Sequence, residues 1–165
     1  MSYCIIIRGP LGVGKTTVAR ALSAQLSGLY ISIDQVLEDH NLLQSDGEGI
    51  AVSCFLAANE MLLPAAQAAL DTGRPVIIDG CFYHLEPITD LEQRLAAPVL
   101  VFTLQAPLSV CVARDKQRSV AYGVDAAAAV HSMVARVAYG TSIDTMDQTL
   151  GQTVASVANQ LPPAQ

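Results

Sequence analysis

The stretch Ile5–Arg20, "IIIRGPLGVGKTTVAR", runs from an apolar triplet through a glycine-rich turn into Lys-Thr-Thr. Within it, Gly9-Pro10-Leu11-Gly12-Val13-Gly14-Lys15-Thr16 matches G-x-x-x-x-G-K-[ST] in full, the Walker A pattern. The preceding "YCIII" (3–7) has the continuous apolar character of a strand buried on both faces. Helical sequence follows from Lys15 to about Ser27. Each residue type has a physical reason. Glycines let successive backbone N–H groups turn inward around an anion, and the helix behind them adds its free N–H groups and dipole. Lys15 supplies a compact charge for the β- and γ-phosphates, and the Thr16 hydroxyl suits Mg²⁺ held by those phosphates. The stretch therefore reads as a nucleoside triphosphate site.

Outward from this loop, short β-branched runs alternate with alanine-rich helical segments. Strands are expected at 29–33, 75–79, 98–104 and 141–145. Helices are expected at 34–44 (in part), 49–72, 86–95, 107–119, 125–137 and 147–161. Such alternation implies an α/β fold, a parallel sheet covered by helices on both faces. In the 49–72 helix, Ser53, Glu60 and Gln67 recur as a narrow polar stripe, read as a solvated edge, and Pro64 is a possible kink. No internal repeat or linker interrupts the 165 residues, so residues 1–165 read as one domain.

Composition removes several classes of function. The net charge is −6, with nine Lys and Arg against fifteen Asp and Glu, so there is no global attraction to a polyanion; this argues against nucleic acid as the main ligand. Cys4, Cys54, Cys81 and Cys111 are scattered and read as reduced core residues, not a zinc site. The opening residues lack a charged leader region, and no run of about 18 apolar residues is free of polar interruption. A cytoplasmic chain without a membrane span is the expectation. The guanine-reading [NT]KxD and the LSGGQ signature of transporter ATPases are both missing.

Further candidates stand at strand ends, where open parallel sheets bind ligands. Asp34 follows the second strand and can face the γ-phosphate from the acceptor side, or alternatively cap a helix. Asp79 closes "PVII" in a loose Walker B pattern directed at Mg²⁺ or the acceptor, or belongs to an Asp-Gly turn. Arg114-Asp-Lys-Gln-Arg118 gathers three cations; planar Arg donors suit a phosphoryl group in transit, though cations also favour a helix C-terminus. Lys116 is expected in solvent. Arg136, His40, Tyr83 and His84 are weaker candidates.

The loop "GPLGVGKTT", "YISIDQVL", "PVIIDG" and "ARDKQRS", in this order and spacing, together resemble the P-loop small-molecule kinases. That group includes shikimate, gluconate and nucleotide kinases, polynucleotide kinase and related "AAA domain" kinase-like proteins. The resemblance spans nearly the whole chain. It implies a three-layer P-loop NTPase fold, five parallel strands in order 2-3-1-4-5, and a short lid at about 115–126. It implies an ATP-dependent phosphotransferase using Mg²⁺ and a small-molecule hydroxyl acceptor. Gly9, Pro10, Leu11, Gly12, Val13, Gly14, Lys15, Thr16 and Thr17 would hold ATP, and Thr16 and Asp79 the metal. Asp34 would take or orient the acceptor proton beside Lys15 and Arg118 as catalytic groups. Arg114 would stack on adenine, Arg118 would reach the phosphates from the lid, and the segment around "SIDT" would approach the base. One departure is clear: shikimate kinases carry Asp-x-Asp where this chain has Ser32-Ile33-Asp34, which counts against shikimate. A polynucleotide 5′-hydroxyl kinase and a nucleotide-binding switch are the alternatives; the former needs a basic channel that nine cations scarcely supply. A small neutral or cationic acceptor fits the acidic balance better. The oligomeric state stays open.

Overall fold

A computed structural model describes residues 2–162. The apolar runs become β1 (Cys4–Arg8), β2 (Leu29–Ser32), β3 (Val76–Gly80), β4 (Val99–Gln105) and β5 (Thr141–Asp144). Every neighbouring pair is parallel and the order is β2-β3-β1-β4-β5, as the resemblance implied. Between them run α1 (Lys15–Leu26), α2 (Ile33–Asp39), α3 (Val52–Asp71), α4 (Glu86–Arg94), α5 (Leu108–Asp115), α6 (Val124–Arg136) and α7 (Leu150–Ala158).

Alternation along each strand builds two cores. Ile6, Ile78 and Val101 face α3, α4 and Val134 of α6. Ile5, Ile7, Ile77, Phe102 and Leu104 face α1, α7 and Cys111 of α5. Burying each of Ile5, Ile6 and Ile7 completely contributes roughly 1.5–3 kcal/mol. This sandwich fixes β1 at the centre, and with it the loop at its carboxyl end.

Several boundaries differ from the sequence expectation. β1 extends to Arg8, which pairs in register with Gly80 and Thr103 and is wholly buried. α2 stops at Asp39, not at 44, because Asn41 takes a left-handed φ of 55°. α5 stops at Asp115, so Arg118 stands in a following loop instead of sharing a helical face with Arg114. Helix α3 runs unbroken through Pro64. Its polar stripe meets α4: Arg94 pairs with Glu60, and Gln67 Oε1 accepts from Ala96 N at 3.0 Å. All four cysteines are free and buried. Among the described residues no helix is long and apolar enough to cross a membrane.

Candidate active site

The Gly9–Thr17 loop is anchored from both sides. Leu11 enters the core beneath α3, and Val13 enters the opposite core beneath α1. Gly12 has φ of 78°, and a β-carbon there would run into the Cys111 carbonyl, so glycine is required. Gly14, at φ 103°, precedes α1 and offers no side-chain cap. The first N–H groups of α1 are therefore left for an anion, the arrangement suited to phosphate. Lys15 is buried, its Nζ donating to the Pro10 carbonyl at 2.8 Å. The ammonium group lies folded along the loop that it serves.

Thr16 and Asp79 meet across the sheet edge: Thr16 Oγ1 donates to Asp79 Oδ2 at 2.7 Å. Asp79 lies inside β3 with Gly80, which overturns the alternative of an Asp-Gly turn. Strand register puts Asp79 beside Ile7 and Ser32, level with the start of the loop. The second carboxylate oxygen accepts from the Tyr30 hydroxyl at 2.8 Å. Two hard oxygens this close suit Mg²⁺. Among the described residues no group of three His, Cys, Asp or Glu gathers. The remaining ligands would be phosphate oxygens and water, the usual manner of Mg²⁺.

Asp34 lies in the first turn of α2, half-buried. Ser32, not Asp34, caps that helix by accepting from Gln35 N, so the capping alternative for Asp34 falls. Burial pushes the Asp34 carboxyl above its ordinary range; Lys15 opposes this, Asp79 adds to it, and the Cys81 backbone N–H and Arg118 oppose it. The Thr16–Asp79 bond and the pairing of Ser32 with Asp79 bring the start of α1, the end of β3 and the start of α2 together, and Arg118 acts on Asp34 from the exposed loop after α5. The Cys81 thiol, in the same place, is pushed up to about 12 by burial, which leaves it protonated and inert.

The two arginines of the RxxxR segment part company. Arg114 turns inward, donating to the Val13 carbonyl at 3.3 Å, to Thr145 Oγ1 at 3.0 Å and to the Thr145 carbonyl at 2.8 Å. It ties the phosphate loop to the segment after β5. Arg118 is exposed, its guanidinium 5.0 Å from the Tyr122 ring centre. Lys116 is exposed, as expected.

The weaker candidates separate as well. Tyr83 and His84 hold the loop after α2: Ile50 N donates to the Tyr83 hydroxyl at 2.7 Å, and His84 Nε2 lies 2.9 Å from the Ile50 carbonyl. His40 is exposed at the end of α2, and Arg136 pairs with Glu48 at the surface. A cavity of about 370 Å³ lies beside this cluster, lined by Pro10, Gln105, His131, Ser142 and Asp144 among others. Neither Lys15, Asp34 nor Asp79 lines it, so converging side chains define the site.

Four contributors escaped the sequence reading. Arg8 is a fully buried cation with no carboxylate partner among the described residues. It donates to the carbonyls of Phe82 (3.1 Å), Val137 (2.8 Å) and Val134 (3.3 Å) and to Thr103 Oγ1 (3.0 Å). These bonds tie α6 to the strand that carries the phosphate loop, and burial lowers its pKa to about 10. Tyr30 supports Asp79. Asp115 is buried, its Oδ2 accepting from Tyr122 N (3.0 Å) and Gly123 N (3.1 Å), so it closes the 116–123 loop. Thr145 holds Arg114. A lone charge ending an apolar strand was the one signal available for Arg8. Tyr30 shares a strand face with Ser32, opposite Asp79, and that alternation could have found it.

Loop, strand order and flanking helices define a P-loop kinase-like fold. A family model described as "AAA domain" matches residues 4–138, and the chain belongs to that family. A search of curated proteins finds no match. Among solved structures, a sugar kinase from a Janibacter species is 18% identical, with 96% of this chain and 94% of that chain covered, at a TM-score of 0.74. The tunicamycin resistance protein of Deinococcus radiodurans is 24% identical over 99% of this chain and 100% of that one, at 0.72. A gluconokinase from Sinorhizobium meliloti is 14% identical over 94% and 93%, at 0.62. At such identities the likeness is one of fold.

Proposed function

We propose that this chain is an ATP-dependent phosphotransferase that moves the γ-phosphoryl group of ATP to a hydroxyl of a small molecule. The carrying observation is the hydrogen bond from Thr16 of the Walker A loop to Asp79, with Asp34 two residues beyond Ser32, the strand partner of Asp79. Residues 9–17 hold the triphosphate, and Lys15 exchanges the Pro10 carbonyl for phosphate oxygens. Thr16 and Asp79 would hold Mg²⁺, which when bound neutralises charge on the β- and γ-phosphates.

Asp34 orients the acceptor hydroxyl and takes its proton as the acceptor oxygen bonds to the γ-phosphorus. The bond from that phosphorus to the β–γ bridging oxygen breaks, and ADP leaves. A carboxyl held above its ordinary range suits this proton transfer. The 116–123 loop serves as the lid that carries Arg118 onto the phosphates. Arg114, held at the junction of the phosphate loop and the segment after β5, lies on the nucleoside side. Residues 1–165 act as one domain in the cytoplasm, where ATP is abundant and buried thiols stay reduced.

The test is ADP release with and without a panel of hydroxyl-bearing metabolites. Acceptor-dependent release that is lost in Asp34→Asn supports the reading. Hydrolysis indifferent to every acceptor but responsive to a protein partner identifies a switch instead.

A further inference from the structure

We propose, resting on the phosphotransferase reading, that the acceptor is an uncharged or amine-bearing hydroxyl compound with no carboxylate or phosphate of its own. The argument is an accounting of positive charge. The chain has nine lysines and arginines, and all of them lie among the described residues.

Six of the nine already have protein partners. Arg8 is spent on buried carbonyls. Arg20 lies over the Tyr30 ring at 5.3 Å. Arg74 binds the Ser27 and Gly28 carbonyls at 3.1 and 2.8 Å. Arg94 pairs with Glu60, and Arg136 with Glu48 at 3.1 Å. Arg114 is tied to Val13 and Thr145. Lys15, Lys116 and Arg118 remain, one in the phosphate loop and two in the lid. A triphosphate and the phosphoryl group in transit engage Lys15 and Arg118, and Lys116 stands in solvent.

The acceptor side of Asp34 is acidic and aromatic. Burial raises the Tyr83 hydroxyl pKa, and Asp34 and Asp46 add to it more weakly. Tyr83 packs edge-on against Phe55 at 5.4 Å and against His84 at 4.8 Å. His84 directs one ring nitrogen to the Ile50 carbonyl. The loop that Tyr83 and His84 hold carries Asp46, and Glu48 paired with Arg136 at the surface. An acceptor carboxylate placed beside Asp34 would face like charge from Asp34 and Asp79, and the two cations that act there, Lys15 and Arg118, are the ones the triphosphate engages. A hydroxyl acceptor that bears an amine, or no charge, meets no such penalty. A 5′-hydroxyl polynucleotide is disfavoured for the same reason, since its backbone needs a track of cations.

The experiment measures ADP release at saturating Mg·ATP over a broad library of hydroxyl metabolites containing matched pairs. The pairs include glucose and glucosamine against gluconate, and adenosine against AMP, together with a 5′-hydroxyl oligonucleotide. The expected result is that the stimulating compounds are neutral or cationic, with kcat/KM at least about tenfold above any anionic counterpart. A sugar acid, a nucleotide or the oligonucleotide turned over as well as its uncharged counterpart overturns this inference and leaves the phosphotransferase reading standing. ATP binding without stimulation by any library member overturns both.

Discussion

Thr16 Oγ1 donates to Asp79 Oδ2 at 2.7 Å, joining the first turn of α1 to the end of β3 across 63 positions of the chain. Tyr30 holds the other oxygen of the same carboxylate at 2.8 Å, so both oxygens of Asp79 are oriented before any metal arrives. Removing the outer support should loosen that orientation without removing a ligand. Tyr30→Phe is expected to weaken Mg²⁺ affinity by about tenfold, as outer-shell substitutions do. The measurement is the Mg²⁺ concentration needed for ATP to raise the thermal midpoint, and an unchanged midpoint titration would refute the role.

Asp34 should show function and stability in opposition. Its raised carboxyl pKa means that the fold disfavours the charged form. Asp34→Asn is expected to cut phosphoryl transfer by about 10²–10⁴-fold while raising Tm by a few degrees at neutral pH. The sign is testable. A group with a raised folded pKa gives stability that is complete below its unfolded pKa and lost as pH rises through the folded value. The stabilising effect of the substitution should therefore vanish in acid and grow as pH rises through the Asp34 pKa. Activity should show an acidic limb above the ordinary carboxylate range. A Tm difference constant with pH would contradict the assignment.

Lys15→Ala is expected to impair both ATP binding and turnover, because its Nζ lies along the loop that would cradle the phosphates. Calorimetric titration with a non-hydrolysable ATP analogue, together with steady-state kinetics, separates the two effects. Wild-type affinity in this variant would remove the loop from the nucleotide site.

Arg8→Met should destabilise strongly. The substitution leaves the Phe82, Val134 and Val137 carbonyls without their donor in a buried place. About 3 kcal/mol is expected, or a fall in Tm of roughly 10 °C. Chemical denaturation measures it, and a change below about 1 kcal/mol would mean that these carbonyls find other partners.

Asp115 closes the loop proposed as the lid. Asp115→Ala removes the acceptor for Tyr122 N and Gly123 N, so the 116–123 loop should open. Trypsin is then expected to cut after Lys116 and Arg118 several-fold faster, with ATP restoring part of the protection. Cleavage at the wild-type rate would show that other contacts close the loop.

What could be read from the chain alone was local. Hydrophobic runs, glycine spacing and the position of Asp34 and Asp79 at strand ends depend on neighbours in sequence, and together they yielded the strands and the phosphate loop, while the sheet order came from the resemblance to P-loop small-molecule kinases. Composition also set the charge balance on which the proposed acceptor class rests. Three-dimensional packing decided which distant groups meet. Nothing near Arg8 in sequence announces that a bare cation will be buried against carbonyls up to 129 positions away. Nor does it foretell that Tyr30 supports Asp79, or that α5 ends early enough to send Arg114 inward and leave Arg118 in the loop that follows. Such pairings arise when the sheet stacks its strand ends side by side: a side-chain hydrogen bond depends on separation in space, and chain distance carries no record of it.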